Sequence, residues 1–481
     1  MALLGGQGSN NSVALFGSID FVVVSLSAAK KFKAIFSPRN LRRLYFDKVI
    51  QSGAIGIDRI RPHKLEPVLK AEIDVITSKV HAGTYKFTAF KEKLISKGQS
   101  VPPRLISIPT ARDRIVLRAL CDFLGQVFPE ATMALPQVSI DALQGALASG
   151  KYAEFIKIDL KNFYPSIPHS IIFNTLKKKI RKPQILALIK ASIETPTVPE
   201  SKGSKGSKPN IIGVPQGLAI SNVLAEIALL SIDSHYKSRA DIWYSRYVDD
   251  ILILTPAGAA NEIAIQVFTA LSSLGLTPHK PGIPGSKSKI APLSESFNFL
   301  GYEINGGFVS IRRESILRFE SSLASIFTAY RHKLARARAP EDTVAAIALC
   351  QWRLNLRITG CIFEGRRMGW VFYFSQITTT TPLRAVNRTI EVLVRRFGLE
   401  RVIQPKSLIK VYYESKRKDK ISHKYIPNFD SMSADEQRAV LSIVLGASKI
   451  KTLTDRRISE LFKMRIGAAV RELEADLSGA S

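Results

Sequence analysis

Residues 242–254 read IWYSRYVDDILIL, and this stretch decides the fold. Two apolar runs flank the acidic pair Asp249-Asp250, and the pattern predicts two strands joined by a tight turn at Val248-Asp249. Adjacent carboxylates at a buried turn repel each other, and each raises the pKa of the other unless a cation compensates. The stretch therefore predicts a β-hairpin whose turn binds metal.

A third acid ends a strand-like stretch earlier in the chain. Alternation over residues 153–160 gives two faces. One face carries Ile156, Ile158 and Leu160, and the other carries Phe155, Lys157 and Asp159. We expect the first face to lie in the core and the second to carry the acid. Together with the acidic pair of the hairpin, Asp159 could hold two Mg²⁺ ions, with Mn²⁺ as the alternative ion, and such a site supports phosphoryl transfer.

The charge balance predicts a polyanionic partner. Lys and Arg number 69 against 40 Asp and Glu, which gives a formal net charge of +29. This excess goes beyond what solubility requires. An anionic membrane surface would need a helix with one Lys-rich and one clean apolar face, and no such helix is evident. Nucleic acid is therefore the predicted partner.

The cysteine content and the hydropathy of the chain predict the cellular compartment of the protein. Cys121, Cys350 and Cys361 have neither paired spacing nor clustered histidines, so neither a disulfide framework nor a zinc ribbon is expected. The longest early apolar stretch, residues 21–29, is too short to span a bilayer. These features predict a cytoplasmic protein without a membrane segment.

Capping residues and apolar spacing locate several helices. Ser37-Pro38, Thr110 and the capping box at residues 433–436 each mark a helix start. Apolar residues at helical spacing predict further helices over 220–235 and 455–477.

The segment 312–420 concentrates the positive charge. It holds 22 Lys and Arg against 9 Asp and Glu, a net charge of 22 − 9 = +13. It also contains aromatic residues that could stack on bases, namely Trp352, Trp370 and Tyr373. We expect RNA contacts at two arginine pairs, Arg366-Arg367 and Arg395-Arg396. A second basic stretch, residues 200–210, is either a solvated loop or an RNA contact.

Several motifs resemble those of reverse transcriptases, in the same order. The palm motifs are DLKNFYPSI at 159–167, GVPQGLAISN at 213–222 and YVDD at 247–250. The fingers motifs of bacterial reverse transcriptases related to group II introns are similar to AGTYKF at 82–87 and PRLISIPTARDRIV at 103–116. KSKI at 287–290 and FLGY at 299–302 match the motifs that follow the catalytic hairpin. The resemblance covers about residues 37–310.

This resemblance implies an α/β right-hand polymerase fold, with fingers, a palm with an antiparallel sheet, an α-helical thumb and an α-helical C-terminal extension. The expected divisions are an N-terminal segment at 1–36, fingers at 37–135, a palm with the catalytic acids at 136–310, a thumb at 311–400 and a basic, helical extension at 401–481.

The resemblance also implies which residues perform the chemistry. Asp159, Asp249 and Asp250, with the backbone carbonyl of Leu160, would bind two metal ions. Lys287 would donate a proton to the departing pyrophosphate.

The nucleotide pocket is likewise implied by the resemblance. It would be formed by Arg104, Arg114, Gln216 and Gly217, with the two arginines holding the triphosphate. Tyr164 takes the steric-gate position, where an aromatic ring under the sugar leaves no room for a 2′-hydroxyl. Phe163 is the alternative gate, and in that case Tyr164 is a core residue.

The C-terminal composition and the residues after the Pro-Gln-Gly motif indicate which group of reverse transcriptases the sequence resembles. Residues 401–481 contain no cysteine and one histidine, His423, so the zinc-binding or endonuclease domain of an intron-encoded enzyme is not expected. Residues 218–222 and 224–226 are similar to the abortive-infection and defence-associated reverse transcriptases of bacteria. We therefore expect DNA synthesis from dNTPs with a bound non-coding RNA as template or scaffold, in antiphage defence, by a monomer or a homo-oligomer.

Three alternatives stay open. One is a retron-type enzyme. Another is an untemplated polymerase primed by a protein hydroxyl, for which Tyr412 and Tyr413 are candidates. The third is a maturase-like RNA-binding scaffold without activity, although decayed polymerases normally lose an acid and all three are present here.

Overall fold

The computed structural model describes residues 26–50, 52–96, 102–201, 207–417, 425–475 and 477. The first 25 residues of the expected N-terminal segment lie outside the described residues, as do residues 202–206 of the second basic stretch and His423.

The described part of the chain contains seventeen α-helices. In chain order they are α1 (Ala28–Ile35), α2 (Pro38–Leu44), α3 (Leu69–His81), α4 (Ala111–Val127), α5 (Pro136–Ala148), α6 (Phe163–Ser166), α7 (His169–Lys179), α8 (Pro183–Glu194), α9 (Ser221–Lys237), α10 (Ala260–Ser273), α11 (Arg313–Leu334), α12 (Pro340–Thr359), α13 (Trp370–Tyr373), α14 (Thr381–Arg396), α15 (Leu408–Lys416), α16 (Ala434–Leu445) and α17 (Asp455–Ala475).

Twelve strands accompany these helices within the described ranges. They are β1 (Phe90–Ile95), β2 (Arg104–Ile108), β3 (Glu154–Asp159), β4 (Thr197–Val198), β5 (Trp243–Tyr247), β6 (Asp250–Thr255), β7 (Lys289–Pro292), β8 (Phe297–Phe299), β9 (Tyr302–Asn305), β10 (Phe308–Ile311), β11 (Cys361–Phe363) and β12 (Arg366–Met368).

Local sequence signals located the helix starts correctly. Ser37 and Thr110 are the N-cap residues of α2 and α4, and the Thr110 side chain accepts a hydrogen bond from the backbone N–H of Asp113. Ser433 and Glu436 form the predicted capping box of α16. These signals act within one turn of chain, which is why the sequence alone reveals them.

A four-stranded antiparallel sheet carries the predicted acids. Its order is β5-β6-β3-β7, so the hairpin of β5 and β6 lies beside the strand that ends in Asp159. The predicted hairpin and the predicted strand are both confirmed. The mixed α/β fold with an antiparallel palm sheet agrees with the expected right-hand polymerase class.

Both faces of this sheet are buried, which differs from the expectation that only one face is core. Ile156 and Ile158 pack in a first core with α4 and α9, whereas Phe155 is fully buried in a second core against Phe297, with ring centroids 4.4 Å apart. The side chains of β6 divide between the two cores in the same alternating way. The face that carries Asp159 therefore packs in a core at Phe155, and Lys157 of the same face lies beside the acids.

Packing in the second core cuts across the expected divisions, which stay predictions. Ile140 and Leu143 of α5, in the expected palm, pack with thumb residues, and so does Val411 of α15 in the expected extension. The thumb segment also contains the two-stranded hairpin of β11 and β12. Helices α16 and α17 form most of a third core. Among the described helices, none is long and apolar enough to cross a membrane.

Candidate active site

Three acidic residues lie at one end of the antiparallel sheet. Asp159 is the last residue of β3 and Asp250 the first of β6, and the strand register places them directly opposite each other. Asp249 precedes Asp250 in the turn between β5 and β6. The strand pairing thus brings together residues that are some 90 positions apart in the sequence.

The turn that carries Asp249 has an unusual backbone. Val248 has a φ of +58°, a conformation that β-branched residues avoid. Left-handed backbone costs an L-residue about 1–2 kcal/mol. The protein therefore maintains a strained turn beside its acids, and strain of this kind is common at functional sites.

Burial and mutual repulsion raise the pKa values of the hairpin acids. Burial raises the pKa of Asp250 to about 6, the charges of Asp249 and Asp159 act in the same direction, and Lys157 opposes them. The pKa of Asp249 is also raised, mainly by burial and further by Asp159. The ionised acids are therefore unfavourable in the folded protein unless cations are near.

Lys157 is the cation closest to Asp250. Its Nζ lies 3.5 Å from Asp250 Oδ2 and donates a 2.6 Å hydrogen bond to the carbonyl of Asn298. The other carboxylate oxygen, Asp250 Oδ1, is buried and has no hydrogen-bond partner in the described structure. A buried carboxylate oxygen without a donor is an available ligand for a cation.

Two further side chains approach Asp159. His279 Nε2 lies 3.3 Å from Oδ2, and Lys287 Nζ lies 3.9 Å from Oδ1, with the lysine side chain 72% exposed. The backbone N–H of His279 also donates to the carbonyl of Asp159, and Ser288 Oγ accepts from the N–H of Asp159. Sequence reasoning missed His279, because a lone histidine in a loop carries no local signal.

The carboxylate oxygens of these acids suit Mg²⁺, because Mg²⁺ prefers oxygen ligands. One of them, Asp250 Oδ1, has no hydrogen-bond partner among the described residues. Across the described residues, however, no three acidic, imidazole or thiol side chains are already gathered as a ligand set. Asp159 and Asp250 instead contact Lys157, His279 and Lys287. Backbone hydrogen bonds fix the chain on either side of Leu160. The N–H of Lys161 donates to the carbonyl of Thr277, and the carbonyl of Asp159 accepts from the N–H of His279.

Phe163 and Tyr164, the aromatic pair that follows Asp159, lie in different environments. Phe163 is 3% exposed and packs in the first core. Tyr164 is partly exposed, and its hydroxyl donates a 2.8 Å hydrogen bond to Asn222 Oδ1 at the start of α9. Burial and the nearby charge of Asp249 raise the pKa of Tyr164. Of the two rings, Tyr164 is the one near the acids, and its role as the gate stays a prediction.

The two fingers arginines have different surroundings. Arg104 on β2 is exposed, and its charge acts on both Asp249 and Tyr164. Arg114 on α4 is more deeply buried, donates a 2.8 Å hydrogen bond to Ser52 Oγ and has a pKa lowered by burial. The exposed arginine is the better placed of the two for a charged ligand near the acids.

The Pro-Gln-Gly motif is fixed to strand β2. The carbonyl of Gln216 accepts a 2.7 Å hydrogen bond from Ser107 N–H. Gly217 has a φ of +98°, and a Cβ there would lie 2.7 Å from Ile106 Cγ2 and 3.0 Å from the Ser107 carbonyl. Only glycine fits this conformation and spacing without a shift.

The predicted RNA-contact residues separate into exposed and structural groups. Arg366, Arg395 and Arg396 are exposed. Arg367 instead donates to the carbonyls of Ser415 and Arg417 and lies over the ring of Phe372, so it holds the hairpin of β11 and β12 against α15.

The predicted stacking role of Trp370 is wrong. Its side chain is 2% exposed and stacks on Phe319 with centroids 4.3 Å apart. Tyr373 is partly buried and donates to the Leu300 carbonyl. Trp352 is partly exposed and lines a cavity of about 410 Å³ between α12 and α16. The aromatic residues of this segment serve mainly as core.

Comparison with known proteins supports the reading of the motifs. Residues 95–304 match the protein-family model described as Reverse transcriptase (RNA-dependent DNA polymerase). That region includes Arg104, Arg114, all three acids and the Pro-Gln-Gly motif, and it is slightly less than half of the chain.

Individual relatives are distant. Protein YkfC of Escherichia coli K12 is 22% identical over 300 residues, which cover 52% of this chain and 75% of YkfC. An uncharacterized 91 kDa protein in the cob intron of Schizosaccharomyces pombe is 25% identical over 42% of this chain but only 25% of its own length. Telomerase from Candida albicans, solved with a fragment of telomeric RNA, is 14% identical and has a TM-score of 0.38 over 78% of this chain and 66% of its own.

Replacing Asp250 with Asn should leave the protein at least as stable as the parent when EDTA removes divalent ions. The folded protein holds the Asp250 proton more tightly than the unfolded chain, because the pKa rises from 3.8 to about 6. This carboxyl therefore lowers the free energy of unfolding as the pH rises through that window, by up to about 3 kcal/mol. Thermal unfolding of both proteins across this pH range measures the difference.

Magnesium provides the matching control. Added Mg²⁺ should raise the unfolding midpoint of the parent at neutral pH and should raise that of Asp250→Asn much less. A variant that unfolds well below the parent in EDTA would instead assign Asp250 a structural role.

Proposed function

We propose that this chain is an RNA-directed DNA polymerase that extends a primer with deoxynucleotides, with a bound RNA as template or scaffold. The observation that carries the proposal is the meeting of Asp159, Asp249 and Asp250 at one sheet end. They lie inside the region that matches the reverse transcriptase family model. Fold alone would not support an activity, but a site with these donors does.

In this proposal the three acids and the carbonyl of Leu160 hold two divalent ions, Mg²⁺ or Mn²⁺. Bound ions of this kind supply activation of a 3′-hydroxyl and neutralise charge on the phosphates. Arg104 and Arg114 bind the triphosphate, for which a guanidinium fork is suited.

Lys287 is the proposed proton donor to the departing pyrophosphate, and its side chain is accessible for this role. Its side chain is largely exposed and its Nζ is 3.9 Å from Asp159. Gln216 and Gly217 shape the nucleotide pocket in this proposal, and their backbone is held against β2.

Primer extension by the purified full-length chain tests the proposal. With a defined RNA template, a DNA primer, dNTPs and Mg²⁺, the protein should synthesise DNA, and the double variant Asp249→Asn, Asp250→Asn should not. Sequencing the nucleic acid that copurifies with the protein should recover one RNA species and DNA complementary to it. DNA of low complexity without a matching RNA would indicate untemplated synthesis, and no synthesis from any primer would contradict the proposal.

Shrinking the proposed gate should relax sugar selection. Tyr164→Val removes the ring beside the sugar and leaves the acids and the triphosphate contacts unchanged, so ribonucleotide incorporation relative to deoxynucleotide should rise at least about tenfold. The ratio of kcat/KM for a matched rNTP and dNTP measures the effect.

Tyr164→Phe is the matched control. It keeps the ring and removes the 2.8 Å hydrogen bond to Asn222, so selection against ribonucleotides should largely persist. If the Val and Phe variants discriminate alike, the gate lies elsewhere, and the fully packed Phe163 would then be the next residue to examine.

Arg395 and Arg396 at the end of α14 should contribute to RNA affinity. Both are exposed, and no carboxylate of the described residues pairs with them. Reversing both to Glu should weaken RNA binding and reduce its salt dependence, since fewer counterions are released. The matched control reverses Arg456 and Arg457 of α17, which pair with Glu460. Equal losses in the two variants would mean that the charge acts diffusely.

The biological role is proposed from motif resemblance: antiphage defence, with a retron-type role as the alternative. Plating a broad phage panel on cells that carry the parent or the Asp250→Asn protein tests it. Equal plaque counts would argue against defence.

Burial reduces the two candidate tyrosines for protein priming to one. Tyr412 is 4% exposed and donates to the carbonyl of Ile377, so it is not an available primer, whereas Tyr413 is 60% exposed. A Tyr413-primed product would stay covalently attached to denatured protein and would disappear in Tyr413→Phe. A maturase-like scaffold without activity is the non-enzyme alternative, and primer extension distinguishes it.

A further inference from the structure

A buried arginine lies behind the acidic turn. Arg246 is on β5, three residues before Asp249, and its side chain is 1% exposed. Its guanidinium lies between two carboxylates of α9, Glu226 and Asp233, which are 11% and 9% exposed. The residue is therefore part of the protein interior, although it adjoins the site.

Every N–H of this guanidinium is used. Nε and one hydrogen of Nη2 donate to Asp233 at 2.8 and 2.5 Å. Nη1 and the second hydrogen of Nη2 donate to Glu226 at 3.0 and 2.7 Å. The fifth N–H, on Nη1, donates a 2.8 Å hydrogen bond to the carbonyl of Val248. Arginine has five donors, so the two carboxylates fix the group and the remaining donor is directed at the turn.

Two-residue hairpin turns generally adopt one of two backbone conformations, type I′ or type II′. Tyr247 pairs with Asp250, which leaves Val248 and Asp249 as a two-residue hairpin turn. The φ of Val248 is positive and that of Asp249 is not, which is the pattern of a type II′ turn. Glycine is favoured at the first position of that turn, yet valine occupies it here. A type I′ turn, by contrast, needs a positive φ at both positions and reverses the peptide between them.

The carbonyl of Val248 belongs to that central peptide. Reversing the peptide would turn the carbonyl away from Arg246 and leave a buried N–H without an acceptor, which is costly. It would also change the φ of Asp249 and so the direction of its carboxylate.

We propose that Arg246 is a positioning residue that holds the Val248–Asp249 peptide in one orientation and so directs the Asp249 carboxylate toward Asp159. Helix α9 supplies the rigid support, because Glu226 and Asp233 share one face of it and Leu224 and Ile227 anchor it in the first core. The inference rests on the proposed function for its effect on synthesis, and its effect on cation binding can be measured separately.

Lysine cannot replace the arginine in this role. It keeps the positive charge but has three donors on a single nitrogen, so it cannot serve two carboxylates and the Val248 carbonyl in a fixed fork. Arg246→Lys should therefore preserve charge while freeing the turn.

The matched control is Tyr244→Phe. The Tyr244 hydroxyl donates a 2.9 Å hydrogen bond to Asp233, so the variant removes a bond from the same buried cluster without touching the turn. It should lower the unfolding midpoint and leave cation binding and kcat close to those of the parent.

The test combines Mg²⁺ titration of the thermal-unfolding midpoint with primer-extension kinetics on the full-length chain. Arg246→Lys should need about 10- to 100-fold more Mg²⁺ for half of the stabilisation, with a similar fall in kcat and a smaller change in KM for dNTP. An Mg²⁺ response equal to that of the parent would overturn the proposal. So would an equal weakening of the response in Tyr244→Phe.

If Arg246→Lys does not fold, a compensated variant keeps the test open. Arg246→Met with Glu226→Gln and Asp233→Asn removes the buried charges together, which proteins often tolerate. It should fold and show the same weakened Mg²⁺ response, and a parent-like response would overturn the proposal. A parent protein that binds Mg²⁺ but makes no DNA would contradict the proposed function, while the Mg²⁺ titration would still decide the role of Arg246.

Discussion

Repulsion among three carboxylates at one sheet end is the constraint on which the site depends. Two unit charges 4 Å apart interact by about 4 kcal/mol near a protein surface, so the cluster opposes folding when it is ionised. Burial is the main cause of the raised pKa values of Asp249 and Asp250, and repulsion within the cluster adds to it. The fold bears it because β3 and β6 are buried on both faces, by separate cores on the two sides of the sheet. Because β3 pairs with β6 between two apolar layers, the positions of the acidic residues relative to each other are fixed.

Helix α9 connects the parts of the site. Asn222, Glu226 and Asp233 lie four and seven residues apart, which places them along one face of the helix. The first contacts Tyr164, and the other two fix Arg246 beside the acidic turn. A displacement of α9 would therefore act on the Tyr164 ring and on the acidic turn together. Helix α9 begins at Ser221, shortly after the Pro-Gln-Gly motif, so this motif is joined to the same element.

Patterns within a few residues were predictable, and partners distant in sequence were not. The hairpin, the helix at Thr110 and the capping box at Ser433 depend on neighbours within one turn or one strand pair, and the sequence displays them directly. Asp113 shows the limit: it lies in a motif expected to hold phosphate nearby, yet it is buried and accepts hydrogen bonds from Tyr85, Thr88 and Thr110. Its partner Tyr85 is 28 residues away, and no local pattern predicts that contact.

The same reasoning explains why charge composition predicted a partner but not its binding residues. Arg246, Arg367 and Arg114 all count toward the formal charge of +29, yet their guanidinium groups are bonded inside the protein. Arg366, Arg395 and Arg396 are indistinguishable from them in composition, and they are exposed. An arginine with its donors already bonded to protein has fewer left for a phosphate, because the guanidinium has only five. Long-range electrostatic attraction of a polyanion depends on the net charge of the whole protein. Direct contact with the polyanion depends only on those arginines whose side chains are exposed. The packing around each arginine therefore decides whether its donors bond to the protein or stay exposed to a partner.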